Sequence, residues 1–482
     1  MPSFTCKLSA PTTPLPHVWE HTIGSGHAAL ALRADWQRQL ERCHRELGVQ
    51  YVRFHGLLCD PMDTLICQDE KWLYSFFNTD RIMDYLLSIG VRPFVELSFM
   101  PDALASGSKT AFHYQANVTA PSDYAEWATL ISKLTRHWID RYGAAEVGKW
   151  FFEVWNEPNL AVFGTGKQED YFKLYRTTAD AIKSVDASLK VGGPATANGE
   201  WIDAFVAFCE QNHVAADFVT THQYPTDSFG KPGDDTVTQL SLSKPGFMAA
   251  RAQQSHDQAG GRPVYYTEWS TSSNPRDQLH DDPFAAAFSV NILMSVCRLV
   301  SAYSYWTFSD IFDENYMPSK PFQGGFGLLS IEGVPKPAYR AFELLHQLGT
   351  DELPVEGTHE TVSAWTVRRN NATTVLLTNH ALPRHPINTE MVHIALSDAP
   401  KPMVAYVERI DDDHANAKRA WQEMGSLEYP TRLQIEQMEV ASRIVRQPIA
   451  LTYKDRTVGI DISLPPHAVA AVTVEFANDA QR

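Results

Sequence analysis

Glu157 and Glu268 each stand at the end of a short apolar run, Lys149–Trp155 and Val264–Trp269. Two carboxyl groups brought together from separate strands suit the hydrolysis of a glycosidic bond. One is held protonated and donates to the leaving oxygen; the other is ionised. A separation of about 5–5.5 Å lets the second attack the anomeric carbon, whereas about 6.5–9.5 Å admits a water and gives inversion. A single strand-end glutamate can equally be an ion-pair partner or a loop cap. The setting Asn156-Glu157-Pro158 and the second glutamate weigh toward catalysis. Asn156 can donate its amide to a sugar 2-hydroxyl, or close an Asx turn. Pro158 fixes the chain just past the acid.

Other polar residues stand at comparable positions. Arg53, two residues inside its run, can keep Glu268 ionised, or form a core ion pair with Glu96 or Glu153. Glu153 lies four residues before Glu157 and reads as buried and structural. His55, His222 and Tyr224 are donors or acceptors for a substrate, or satisfied structural groups. Three histidines and acids at one mouth raise the question of a metal, but neither H-x-H nor H-E-x-x-H spacing occurs, so none is expected. Trp306 and Trp269 read as sugar platforms or as core.

The elements that must position these groups recur as eight strand–helix units. The strand runs are Trp19–Gly24, Tyr51–Gly56, Arg92–Ser98, Lys149–Trp155, Lys190–Pro194, Phe218–His222, Val264–Trp269 and Ala302–Phe308, each followed by a segment of helical period. Asp35–Leu47 ends at Gly48, and Thr79–Ile89 at Gly90, which are C-cap signals. The fold class is therefore α/β, a (β/α)8 TIM barrel with its active site at the carboxyl ends of the strands. No Gly-rich nucleotide motif follows an early strand.

Beyond Gly349 short β-branched runs separated by Pro, Asn and Asp predict a β-sandwich, with one helix over Pro430–Val445. The expected division is 1–16 as an N-terminal segment with a linker at Pro11–Pro16, 17–350 as the barrel, and 351–482 as β-sandwich and accessory β region. The first segment can add a strand to the sandwich. The net charge of −16 argues against nucleic acid and anionic membranes. Six scattered cysteines without C-x-x-C predict buried free thiols. Met1–Pro16 lacks the basic and apolar regions of a secretory signal, so of a cytoplasmic or periplasmic location the cytoplasmic one is expected.

Taken together, several segments resemble glycoside hydrolase family 39, which includes β-xylosidases and α-L-iduronidases. They are Gly24-Ser25-Gly26-His27, Tyr51-Val52-Arg53-Phe54-His55-Gly56, Phe152-Glu153-Val154-Trp155-Asn156-Glu157-Pro158-Asn159-Leu160, His222-Gln223-Tyr224-Pro225-Thr226-Asp227, Tyr266-Thr267-Glu268-Trp269, and Phe308-Ser309-Asp310-Ile311-Phe312 followed by Gly324-Gly325-Phe326-Gly327-Leu328. The resemblance implies Glu157 as acid/base and Glu268 as nucleophile of a retaining double displacement. It implies His55, Asn156, His222, Tyr224 and Glu314 around the sugar, with Phe112 or Trp306 as apolar wall. It implies no cofactor and a small oligosaccharide as substrate. The xylosidase branch fits better than the iduronidase branch, because no cation cluster beyond Arg53 is visible to meet a uronic carboxylate. Gln323 departs from the family's expected histidine. Some relatives are tetramers through C-terminal extensions; a monomer is expected here.

Overall fold

Strands buried on both faces are written as near-continuous apolar runs, and eight such runs form one parallel sheet. The computed structural model describes residues 1–227 and 235–477. Its barrel strands are β1 (Thr22–His27), β2 (Tyr51–His55), β3 (Arg92–Leu97), β4 (Phe151–Val154), β5 (Lys190–Ala197), β6 (Phe218–His222), β7 (Val264–Trp269) and β8 (Ala302–Tyr305). They close into a ring in which each strand pairs with its neighbours in sequence and β8 returns to β1. Helices between them bury one stripe against the sheet. In Ala34–Leu47 that stripe is Trp36, Leu40, Cys43 and Leu47, and the helix stops where Gly48 takes φ 71°.

The barrel interior is layered because side chains alternate along each strand. Phe94, Phe151, Phe218 and Tyr265 close its amino-terminal end as an aromatic floor, with Phe94 and Phe151 stacked at 5.0 Å. Two residues further along come Arg53, Glu96, Glu153, Thr220 and Thr267, all buried. The site lies above them.

Some ends differ from expectation. Strand β1 begins at Thr22 rather than Trp19, whose ring is buried in the core instead. Strand β4 stops at Val154, because Trp155 and Glu157 take left-handed φ values of 70° and 43°. Strand β8 ends at Tyr305.

The segment from Asp351 onward forms two facing sheets around a second apolar core that includes Val392, Ile394, Ile460, Val472 and Val474. Ser3–Lys7 lies parallel to Glu390–Ser397 within one of them. Pro11–Pro16 is not a plain linker: Thr13–Pro14 pairs with Asp351–Leu353 at the edge of the other sheet, where a proline's missing N–H costs no ladder bond. The single helix expected at Pro430–Val445 is Arg432–Ala441, and a further helix, Ala417–Glu423, precedes it. Trp421 and Met438 from this pair pack on Phe322 and Val334 of the segment after β8. All six cysteines are free thiols, five buried and Cys67 exposed. Residues 478–482 of the expected third segment lie outside the described residues.

The segment after β8 is pinned by a buried cation. Lys336 Nζ lies 2.7 Å from Asp281 Oδ1 and 2.7 Å from Asp310 Oδ2, and all three side chains are shut off from solvent. Asp310 also accepts from the Gly327 N–H at 2.7 Å, and Asp281 from the Gly324 N–H at 2.6 Å. The Gly324-Gly325 pair is required here. Gly324 has φ 79°, and a Cβ on Gly325 would fall 2.3 Å from Asp310 Oδ1. Lys336→Met removes the cation and strands two buried carboxyl groups. We expect a loss of about 3–5 kcal/mol in unfolding free energy, read from a urea titration.

Candidate active site

Strand alternation alone would not bring both Thr267 and Glu268 into the barrel. The pairing of β6 with β7 skips Thr267: Thr221 faces Tyr266, and His222 faces Glu268. This bulge re-aims Glu268, so that adjacent side chains both point inward. Glu157 reaches the same space by another route. The left-handed turns at Trp155 and Glu157 lift it off the end of β4, and its N–H donates to Ala195 O at 2.8 Å. Glu153, by contrast, lies deep in the barrel interior.

Beneath both stands Arg53, with no exposed surface. Its Nε donates to Glu153 Oε2 at 2.5 Å, its Nη1 to Glu268 Oε1 at 2.8 Å, and its Nη2 lies 2.8 Å from Glu96 Oε2 and donates to Asn156 Oδ1 at 3.0 Å. The alternatives left open by the sequence are thus met together: one guanidinium serves Glu268, Glu96 and Glu153. Asn156 is held by Arg53 through its oxygen, leaving its amide nitrogen as the group able to meet a substrate. Tyr224 donates its hydroxyl to Glu268 Oε2 at 3.0 Å. His222 Nδ1 lies 2.9 Å from Glu157 Oε1 and 3.5 Å from Glu268 Oε2. His55 lies 2.7 Å from Glu96 through Nδ1, and 3.4 Å from Glu268 through Nε2.

One cation among so many acids cannot keep them all ionised. Burial, then repulsion from Glu268, pushes the Glu157 carboxyl well above the usual carboxylate range. Burial raises Glu268 too, but Arg53 pulls it back, so Glu157 is the harder of the two to ionise. Glu314 is raised well above its ordinary value by burial and by Glu268. Burial lifts Glu96 to about 7 against the pull of Arg53. Burial holds His55 down to about 3 and His222 well below its ordinary value, so both rings are neutral near pH 7.

One oxygen of Glu157, one ring nitrogen of His222 and one oxygen of Glu268 lie within 4.8 Å of one another. An approach this close between oxygens of the two carboxylates is compatible with direct attack. The trio has the donor types of a metal site; within it His222 Nδ1 and Glu157 Oε1 meet directly at 2.9 Å, while Nε2 lies 3.1 Å from Thr267 Oγ1.

The two glutamates open into a cavity of about 600 Å3, also lined by His55, Phe112, Asn156, Tyr224, Trp306 and Glu314. Arg53 and His222 lie below that surface and are not among its lining residues. Trp306 packs on Phe312 and His55 and presents a wall to the cavity. Trp269 does not: it faces out of the barrel, donates to Tyr303 O at 3.0 Å and packs on Tyr305. Gln323, at the departing position, accepts from Ser319 N at 2.9 Å and is not among the cavity-lining residues. Sequence reasoning missed Arg276, a cation in the cavity wall whose Nη2 donates to Asn315 O at 2.8 Å. It is carried on the loop after β7, where no periodicity points to it. Thr267 was missed too, though it sits beside Glu268.

Residues 6–455 match the family model for glycosyl hydrolases family 39. A beta-xylosidase of Caldicellulosiruptor saccharolyticus is 46% identical over 463 residues, covering 95% of each chain. A beta-xylosidase of Geobacillus stearothermophilus is 35% identical over 478 residues, covering 96% of this chain and 93% of that one. The crystal structure of a monomeric beta-xylosidase from Caulobacter crescentus CB15 superposes with a TM-score of 0.86 at 32% identity, over 99% of this chain and 100% of that one. With two glutamates converging at the carboxyl ends of β4 and β7, the chain belongs to glycosyl hydrolases family 39 and is a glycosidase.

Proposed function

We propose that the chain is a retaining exo-β-D-xylosidase that releases xylose from xylo-oligosaccharides, with Glu157 as acid/base and Glu268 as nucleophile. The observation that carries this reading is the approach of the two carboxylates to within 4.8 Å above Arg53. The beta-xylosidases it resembles over nearly their whole length support the choice of glycone.

Glu268 attacks the anomeric carbon as the glycosidic C–O bond breaks, and Glu157 gives its proton to the departing oxygen. Arg53 and the Tyr224 hydroxyl hold the attacking carboxylate ionised and oriented. Glu157, now a carboxylate, takes a proton from water. The resulting hydroxide equivalent attacks the same carbon and releases Glu268, with net retention. The Asn156 amide is placed for the sugar 2-hydroxyl, and His55, Trp306, Phe112 and Glu314 enclose the ring. The chain is read as a monomer, in keeping with the Caulobacter enzyme.

One observation favours another glycone. Arg276 in the cavity wall could meet a carboxylate, as a uronide-cleaving member of the family would need. A panel of aryl β-xyloside, α-L-arabinoside and α-L-iduronide separates the readings; turnover of the iduronide alone would reject ours.

A proton NMR time course on an aryl β-xyloside should show β-xylose as the first product, mutarotating later; α-xylose first would refute retention. Glu268→Ala should cost on the order of 10⁴-fold or more in kcat on an aryl β-xyloside. Tyr224→Phe, which removes one hydrogen bond to a charged group, should lower kcat roughly 10- to 100-fold without changing the circular dichroism spectrum.

A further inference from the structure

His222 is the midpoint of a buried hydrogen-bonded chain. Its Nδ1 lies 2.9 Å from Glu157 Oε1, its Nε2 lies 3.1 Å from Thr267 Oγ1, and Thr267 Oγ1 lies 2.8 Å from Glu153 Oε1. The far end is anchored, because Glu153 Oε2 accepts from Arg53 Nε at 2.5 Å. A second hydroxyl, that of Thr220, also serves Glu153. His222, Thr267 and Glu153 are closed to solvent, so no water competes for these positions.

Donor and acceptor counting then gives the chain a direction. A carboxylate paired with a guanidinium only accepts. Thr267 has one proton, and Glu153 takes it. The threonine oxygen is left to accept, so His222 Nε2 must carry the ring proton. A neutral ring protonated at Nε2 has a bare lone pair on Nδ1. At 2.9 Å from Glu157 Oε1, that lone pair makes a hydrogen bond only when Glu157 carries a proton. The opposite tautomer would leave the oxygens of Thr267 and Glu153 facing each other at 2.8 Å with no proton between them.

We propose that Thr267 and Glu153 are positioning residues that set the tautomer of His222 and so keep the acid form of Glu157 loaded in the resting enzyme. This rests on Glu157 being the acid/base. No proton travels along the chain. When Glu157 gives its proton to the leaving oxygen, its new carboxylate faces the Nδ1 lone pair. That opposition makes it a stronger base for the water of the second step.

The other charged or titratable groups facing the Glu157–His222 pair are Glu268, Arg53, His55, Glu96, Tyr224 and Glu314. None is a partner of the Thr267 hydroxyl, so Thr267→Val changes only the chain. The ring of His222 can then turn its proton to Nδ1 and stabilise ionised Glu157.

The test is the pH dependence of kcat/KM on phenyl β-xyloside, which needs the acid, beside 2,4-dinitrophenyl β-xyloside, which does not. Thr267→Val, and Thr267→Ala as a second variant without the hydroxyl, should move the alkaline limb to lower pH by about one unit. The shift should appear on phenyl xyloside only, with KM little altered. Thr267→Ser, which restores the hydroxyl, should keep the wild-type limb. Thermal melting confirms that each variant is folded. Glu157→Gln separates this inference from the reading beneath it, and should lose the phenyl substrate while its first step on the dinitrophenyl substrate survives. If Glu157→Gln behaves so while Val and Ala variants keep the wild-type limb, the tautomer role is overturned and the acid/base assignment stands. If Glu157→Gln loses both substrates equally, both fall.

Discussion

A single guanidinium at the centre of the barrel neutralises carboxylates from three different strands. Arg53 of β2 reaches Glu96 of β3, Glu153 of β4 and Glu268 of β7, and also steadies Asn156. A buried charge is tolerated only when paired and hydrogen-bonded, and here the pairing is oversubscribed. The surplus of acid over base is what the chemistry uses. Arg53 pulls the carboxyls it bonds directly, Glu268 among them, toward the ionised form, while Glu157 and Glu314, which it does not touch, are pushed well above the usual carboxylate range. A second cation in this layer would relieve the repulsion and with it the difference between Glu157 and Glu268.

The layering of the barrel makes that imbalance sustainable. The aromatic floor of Phe94, Phe151, Phe218 and Tyr265 seals the charged layer from below. His55, Trp306 and Phe112 restrict access from above. Between them Glu96, Glu153, Thr220 and Thr267 occupy positions that ordinary barrels fill with branched aliphatic side chains. The sandwich contributes at one remove. Its inserted helices pack on Phe322 and Val334, and Lys336 ties the adjoining loop to Asp281 and Asp310. The wall that carries Trp306 and Glu314 is thus braced from behind.

Much of this could be read before any coordinates. The eight strand runs and the helix ending at Gly48 follow from period and cap, and strand ends on a barrel point to Glu157 and Glu268. The inward turn of Glu268 could not be read, because it depends on a bulge that breaks the alternation a sequence pattern assumes. Nor could alternation give the path of Glu157, which is set by two left-handed residues rather than by strand parity. Of the two readings open for Trp269, sugar platform or core, the second holds: beyond the bulge it faces outward onto Tyr303 and Tyr305. Arg276 belongs to a loop whose path is decided by tertiary contacts, and Thr13–Pro14 is too short for a strand signal.

The threading of the amino terminus bears on how the chain is made. Ser3–Lys7 fills a central place between Val355–Glu356 and Glu390–Ser397, and Thr13–Pro14 joins Asp351–Leu353. Residues 3–14, which precede the barrel, therefore find their partners only after the whole barrel has been synthesised. Until then the sheet lacks an interior strand and exposes open edges, a state prone to intermolecular pairing. Once closed, Ser3–Lys7 lies in one sheet of the sandwich and Val469–Phe476 in the other, and Phe4 and Cys6 share a core with Val472 and Val474, so loosening either strand exposes the packing of both.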